Sequence, residues 1–226
     1  MNIFIVVPAY NEGQRIKKVV ELLLTKFSNV IVVNDGSKDN TGEEIKSLPI
    51  YYCEHAVNLG QGAGLKTGTE LAIGLGAEVI VHADADGQHR LEDIEKLVIE
   101  LEKGNADIVI GSRFLGVKSN MPKRKKIILF LAKLFVRLFF RIKITDPQSG
   151  LRAFRASPVG ASAWPKIKFT YDDFRHCTEI LFLIKKNRLK FVEVPIKVNY
   201  DEHSCNKKLR PKIKMAAELL LDKLIK

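Results

Sequence analysis

The sequence predicts an α/β protein whose mostly parallel sheet is covered by helices on both faces. Three observations carry this expectation. Short runs such as Ile3 to Val7, Val30 to Val33, Val79 to Val81 and Ile108 to Ile110 are continuously apolar, as strands buried on both sides must be. Between them, apolar residues recur at helical spacing, as in Ile16, Val19, Val20, Leu23 and Leu24. Each run ends in a turn rich in Gly, Asn and Asp, and this alternation builds βαβ units.

Taken in order, Pro8-Ala9-Tyr10-Asn11-Glu12-Gly13 closes the first strand with turn chemistry. The second strand ends in Asn34-Asp35-Gly36-Ser37-Lys38-Asp39-Asn40-Thr41, where Asp35 meets a ligand or forms the turn, and Asp39 or Thr41 caps the next helix. Ile50 to Cys53 reads as a third strand. A helix opened by Asn58-Leu59-Gly60-Gln61-Gly62-Ala63-Gly64 runs through Leu71, Ala72 and Leu75 to a stop near Gly76. Its alternating glycines admit close approach of a phosphate or of packed chain. The strand from Val79 delivers Asp84-Ala85-Asp86-Gly87-Gln88-His89 to its C-terminal edge. Carboxylates two apart at a strand end point the same way and can share one hard cation, whose other positions go to phosphate oxygens and water. That outlines a diphosphate-nucleotide site; the alternative is a plain polar turn. A helix from about Leu91 to Lys103 and a strand from Asp107 to Ile110, ending at Gly111-Ser112-Arg113, complete the first half.

Composition narrows the partners. The 226 residues are 46% hydrophobic, enough for a well-filled core, and a net charge of +11 calls for an anionic partner. Three scattered cysteines offer no metal-ligand spacing and no disulfide framework, so a reducing cytoplasm is expected. Met1 leads straight into a strand, without the basic and apolar regions of a signal peptide.

In the second half, Lys118, Lys123, Arg124, Lys125 and Lys126 precede an apolar segment, 127–142, interrupted by Lys133, Arg137 and Arg141. Four-residue spacing puts those three cations on one helical stripe. The segment is shorter than the ~20 apolar residues of a spanning helix, so it is expected to lie on an anionic bilayer. A core helix with a solvated basic stripe is the alternative. Nucleic acid ranks below both, because the aromatics lie on the apolar face instead of alternating with the basic residues. Phe169 to Phe174 leads into a further helix, for which Asp172 reads as an N-cap. Phe191 to Val198 reads as a strand with an edge-type proline, and Ile213 to Ile225 as a basic amphipathic helix.

The blocks Pro8 to Glu12, Val33 to Ser37, Asn58 to Gly60, Asp84 to His89 and Gly111 to Arg113 resemble, in this order, the signature set of glycosyltransferase family 2. The branch they resemble most is the dolichyl-phosphate mannosyltransferase and polyprenyl-phosphate glycosyltransferase group. The resemblance implies a GT-A, Rossmann-like fold with amphipathic interface helices. Residues 1–115 would form its nucleotide-sugar-binding half, 116–144 a basic membrane-interface segment, 145–203 the acceptor-side half, and 204–226 a basic loop and C-terminal helix. It implies inverting transfer of a sugar from a nucleoside-diphosphate donor to a polyprenyl or dolichyl phosphate at the cytoplasmic face of a membrane, the protein being peripheral or held by a separate membrane partner. Two alternatives are a family 2 enzyme acting on a saccharide or protein hydroxyl and a non-catalytic nucleotide-sugar-binding module.

The same resemblance implies residue roles. Pro8, Tyr10, Glu12 and Asp35 would line the nucleoside pocket, and Asp84 would face the ribose and metal side. Asp84, Asp86 and Gln88 would hold Mg²⁺ or Mn²⁺ against the diphosphate, with Asp86 central to catalysis. Thr145 to Arg155 resembles the acceptor-side motif, so Ser149 and the catalytic Arg152 would meet the acceptor phosphate together with Arg113 and Arg124, while Asp146 orders the loop. A buried ion pair is the competing role for Arg152. Asp172 would serve as base in members with hydroxyl acceptors. Tyr200 to Leu209 departs from the Arg-x-x-Gly-x-Ser-Lys-Leu type of loop by lacking the arginine and the glycine, which leaves the donor open between GDP-mannose and a UDP-hexose.

Overall fold

The computed structural model describes residues 1–115, 121–156 and 162–198, with residues 123 and 125 described by their backbone alone. Among them, strands β1 (Ile3–Ala9), β2 (Asn29–Asn34), β3 (Tyr51–Glu54), β4 (Val79–His82), β5 (Ile108–Ser112), β6 (Arg152–Arg155) and β7 (Phe191–Pro195) form one sheet, ordered β3-β2-β1-β4-β6-β5-β7. Neighbours are parallel except at β6, which is antiparallel to both β4 and β5. The helices are α1 (Ile16–Leu24), α2 (Thr41–Ile45), α3 (Gln61–Gly74), α4 (Leu91–Glu102), α5 (Lys123–Phe135) and α6 (Arg175–Lys186), and a π-helical turn, Val136–Phe140, prolongs α5. Sequence boundaries before the acceptor half are matched to within a few residues. The expected α/β fold with a mostly parallel sheet is the one observed.

Continuous apolar runs make sense here because each strand feeds two cores. Ile5, Val7, Val30 and Val32 pack in one layer with α1 and α4; Phe4, Val6, Ile31 and Val33 pack in the other with α3 and α6. Fully burying such a side chain stabilises the fold by roughly 1.5–3 kcal/mol. The second layer is tight: a Cβ on Gly68 of α3 would stand 2.4 Å from Val6 Cγ1 and 3.2 Å from Val33 Cγ2. At the other end of the sheet, buried Asp93 of α4 accepts the Lys197 N–H at 2.9 Å and so ties down the chain leaving β7.

Two sequence expectations change. Residues 152–155, part of the stretch that resembles the acceptor-side motif and for which no strand is expected, are an interior strand: Ala153 and Phe154 are fully buried and pair with both neighbours. Flanking arginines concealed so short an apolar pair. Helix α5 begins at Lys123, before the apolar segment, and Arg141 leaves it with a left-handed φ of 52° after the wide π turn. Lys133 and Arg137 therefore share a helix face, and Arg141 does not extend it. Among the described residues no helix is long and apolar enough to cross a membrane. Lys118, the 200–209 loop and the 213–225 helix lie outside the described residues.

Gly68 and Gly74 test the packing of α3. Gly68→Val is expected to cost about 1–3 kcal/mol by overpacking. Gly74→Ala, with nothing within 4 Å of the new Cβ, should gain about 0.5–1 kcal/mol from helix propensity. Urea denaturation reads both, and equal effects would contradict the tight layer.

Candidate active site

Parallel pairing sets the site. The registers Ala9↔Asn34 and Val6↔His82 end β1, β2 and β4 at one rim, so loops 10–13, 35–40 and 83–90 emerge side by side. Ligands in open α/β sheets bind at this edge. A cavity of about 830 Å³ lies there.

Its walls differ in character. Pro8, Tyr10, Glu12 and Asp35 line one side, with Asp84, Asp86, Gln88 and His89 on the floor. Arg113, Arg124, Gln148 and Ser149 bring polar groups from the second half of the chain. An apolar group completes the lining: Pro122, Ile128, Leu129, Leu131, Ala132, Phe135 and Val136 from around α5, with Ile196 and Val198 beyond β7. Ten of the sequence-expected site residues thus meet in one cavity: Pro8, Tyr10, Glu12, Asp35, Asp84, Asp86, Gln88, Arg113, Arg124 and Ser149.

Asp84 is the most constrained of them. Its Oδ1 accepts Gln61 Nε2 at 2.7 Å and its Oδ2 accepts His89 Nε2 at 3.0 Å. A Cβ on Gly150 would come within 2.9 Å of that carboxylate, so the loop before β6 closes on it without a side chain. Burial works to raise the Asp84 pKa, but the His89 bond and the charges of His89, Arg152 and His176 outweigh it and hold the carboxyl at about 2. For His89, burial works to lower the pKa, and the Asp84 bond with the charges of Asp84 and Asp86 raises it above the ordinary 6.5. Asp86 Oδ1 accepts the Gln88 N–H at 3.1 Å, which shapes the turn below Gly87.

Several expected roles need correction. Asp35 lines the cavity, yet its carboxylate takes His55 Nδ1 at 2.7 Å, Asn58 Nδ2 at 2.9 Å, Leu59 N at 2.9 Å and Gly60 N at 2.7 Å. A carboxylate has about four lone-pair sites. Asp35 therefore orders the loop ahead of α3, and a nucleoside contact through its carboxylate would have to displace one of these donors. Asp39 takes the N–H of Thr41, the first residue of α2, as a cap would, and also Gly13 N, joining the two rim loops.

Arg152 is absent from the cavity wall. The β4–β6 register sets it opposite His82, only 3% exposed, between the sheet and α6. There Nη2 donates to Ser149 O at 2.8 Å and to Cys177 Sγ at 3.3 Å, and Nε has no partner. Among the described residues no carboxylate pairs with it, so the competing ion-pair reading is not met either. Cys177 does reach the cavity; burial pushes its thiol up, but the charges of His176 and Arg152 prevail and bring it to about 6. His82 is kept uncharged, its pKa well below 6.5, by burial and by the charges of Arg152 and His176.

Asp172 also turns away. Its exposed carboxylate pairs with Lys66, and the residue that bonds the Arg175 N–H at the start of α6 is Asp173, at 2.9 Å. The Asp172 carbonyl accepts Gly62 N at 2.6 Å and so occupies the start of α3. Cβ atoms on Gly60 and Gly62 would meet Asp172 O at 2.4 Å and Tyr171 O at 2.3 Å. These glycines serve chain packing, and the helix start is not open to a phosphate. Asp146 orders its loop as expected, bound by Arg113 Nε and Nη2 at 2.6 Å each.

The sequence alone does not mark Gln61, His89 or Cys177 as site residues. Gln61 carried a signal, since glycines on both sides mark a backbone held close to other chain. Cys177 carried none, being an ordinary apolar position on α6.

The donor set suits a hard divalent cation that brings its own ligands. Asp84, Asp86 and Gln88 offer oxygen atoms on the cavity floor, while no cluster of three or more His, Cys, Asp or Glu side chains among the described residues could cage an ion. Mg²⁺-type sites use one or two carboxylates and fill the rest with phosphate oxygens and water.

Comparison with known proteins adds to this geometry. The family model described as Glycosyl transferase family 2 matches residues 4–161. The chain is 36% identical over 222 residues to the UDP-N-acetylglucosamine--dolichyl-phosphate N-acetylglucosaminyltransferase of Methanococcus voltae, covering 89% of this chain and 87% of that one. It is 28% identical over 205 residues to the undecaprenyl-phosphate mannosyltransferase of Micrococcus luteus, covering 87% and 83%. Among solved structures, glucosyl-3-phosphoglycerate synthase of Mycobacterium tuberculosis, in complex with Mn²⁺ and UDP-glucose, matches with a TM-score of 0.71 at 17% identity over 97% of this chain and 76% of that one.

The Asp84–His89 pair makes a pH prediction. The lowered Asp84 pKa contributes stability that is complete above its ordinary 3.8 and lost as pH falls through about 2. The raised His89 pKa contributes stability that is complete below 6.5 and lost as pH rises through its higher folded value. The stability difference between wild type and Asp84→Asn should therefore shrink as pH falls from 3.8 toward 2, and that for His89→Gln should shrink above 6.5. Urea midpoints measured across pH test this; differences independent of pH would refute it.

Proposed function

The chain belongs to glycosyltransferase family 2, and from that premise we propose that it moves a sugar from a nucleoside-diphosphate donor to a polyprenyl phosphate at the cytoplasmic face of a membrane. The observation that carries this reading is a single cavity lined both by the acids Asp84 and Asp86 and by apolar side chains of α5. The relatives named for dolichyl-phosphate and undecaprenyl-phosphate transfer support the acceptor class.

Helix α5 gives the lipid a route. Ile127, Phe130, Leu131, Leu134 and Leu138 are 60%, 62%, 52%, 42% and 63% exposed along it. Lys126, Lys133 and Arg137 flank that stripe. Leu131 also lines the cavity. An apolar chain resting in a bilayer could thus pass along α5 while its phosphate reaches the polar end, with α5 lying on anionic headgroups.

In the cavity, Asp84, Asp86 and Gln88 would hold a divalent cation, Mg²⁺ or Mn²⁺. When bound, it would offset the charge of the departing nucleoside diphosphate. Arg113, held in place by Asp146, and Arg124 would offset the charge of the acceptor, with Ser149 beside them. A phosphate monoester, with a second pKa near ~6, is largely ionised at neutral pH. Its oxygen can attack the anomeric carbon while the bond to the donor's diphosphate oxygen breaks, so no general base is required. That agrees with Asp172 facing Lys66. Buried Arg152 would act at one remove, through its charge on Asp84.

Purified protein with Mn²⁺, a panel of GDP- and UDP-sugars and a polyprenyl phosphate should transfer label into the lipid phase. Asp86→Ala should lower kcat/KM on the order of 100-fold or more with the melting temperature unchanged. Transfer to saccharide or protein hydroxyls without transfer to lipid phosphate, or donor binding without turnover, would overturn the reading. Separately, Leu134→Glu with Leu138→Glu should reduce cosedimentation with vesicles containing anionic lipid; unchanged binding would remove α5 from the membrane contact.

A further inference from the structure

Gln61 stands at the first position of α3 on a backbone pinned from both sides. Gly60 N donates to Asp35 at 2.7 Å and Gly62 N to the Asp172 carbonyl at 2.6 Å. The side chain leaves this fixed base for the cavity, and its amide Nε2 donates to Asp84 Oδ1 at 2.7 Å. A carboxylate only accepts, so this bond fixes which end of the amide is nitrogen. The other end, Oε1, is shielded from solvent and has no partner. Asp84, an ionised carboxylate held also by His89, has no proton to give it.

A buried acceptor without a donor is costly, and its persistence beside a cavity points to a ligand that brings the donor. Phosphate oxygens cannot fill that role. We propose that Gln61 Oε1 accepts a hydrogen bond from a ribose hydroxyl of the nucleotide, so that Gln61 both orients Asp84 and selects a ribonucleotide donor. The inference rests on the nucleotide-sugar reading above and adds to it a residue and a selectivity. An amide oxygen is also a ligand for hard cations, so the test separates hydroxyl from metal.

Binding of UDP and GDP, and of their 2′- and 3′-deoxy forms, is measured by calorimetry with and without Mn²⁺ for wild type, Gln61→Leu and Gln61→Met. The wild type should prefer the ribonucleotide over one deoxy form by about five- to tenfold, as the loss of a single hydrogen bond implies. Both variants should bind the two forms equally and keep the wild-type melting temperature within a few degrees. The two replacements have different shapes, so agreement between them excludes a local packing artefact. Discrimination that survives in both variants overturns the proposal. So does a loss confined to Mn²⁺ affinity, measured by titrating the ion alone, which would make Oε1 a metal ligand. A wild type that binds neither nucleotide, with or without the ion, would instead remove the transferase reading beneath it.

Discussion

The site depends on one carboxylate. Asp84 leaves the end of β4 and is gripped by Gln61 from α3 and His89 from its own loop, with Gly150 of the segment before β6 packed on it. Three parts of the chain distant in sequence thereby share one anchor. Because its partners are cationic or amide donors in a partly dry setting, the charge is stabilised where bare burial would have neutralised it. The carboxylate is ionised at neutral pH.

Around that anchor, charge is arranged in layers. Arg152 lies behind the wall, near Asp84 and Cys177, and not within the cavity. Arg113 and Arg124 stand at the wall itself, Arg113 fixed by fully buried Asp146. A rim lined only with acids would repel a diphosphate; cations on two levels offset this without crowding the space. Such preorganised charge needs no rearrangement during a reaction.

Helix α5 joins this polar chamber to the outside. One of its faces supplies the apolar cavity wall and another exposes large hydrophobic side chains bordered by lysine and arginine. Exposed clusters of Leu, Ile and Phe are costly in water, so the outer face has the character of a contact surface. The π turn and the left-handed Arg141 then return the chain to the sheet through buried Ile142 and Ile144.

The sequence by itself determined the alternation of strand and helix, the rim loops and the identity of the acids at their tips. It could do so because continuous apolar runs and glycine-rich turns are local signals, readable within a few residues. Only the tertiary structure decided where individual side chains point. Arg152 and Asp172 sit in motifs that look poised for substrate, yet an interior antiparallel strand carries one beneath the wall and a pairing with Lys66 draws the other out to the surface. Asp35 kept its place at the rim but spent its acceptors on backbone and side-chain donors from residues 55–60. Gln61 became part of the site only because α3 begins beside β4. Partners of this kind are chosen by contacts between segments far apart in the chain, which no local pattern encodes.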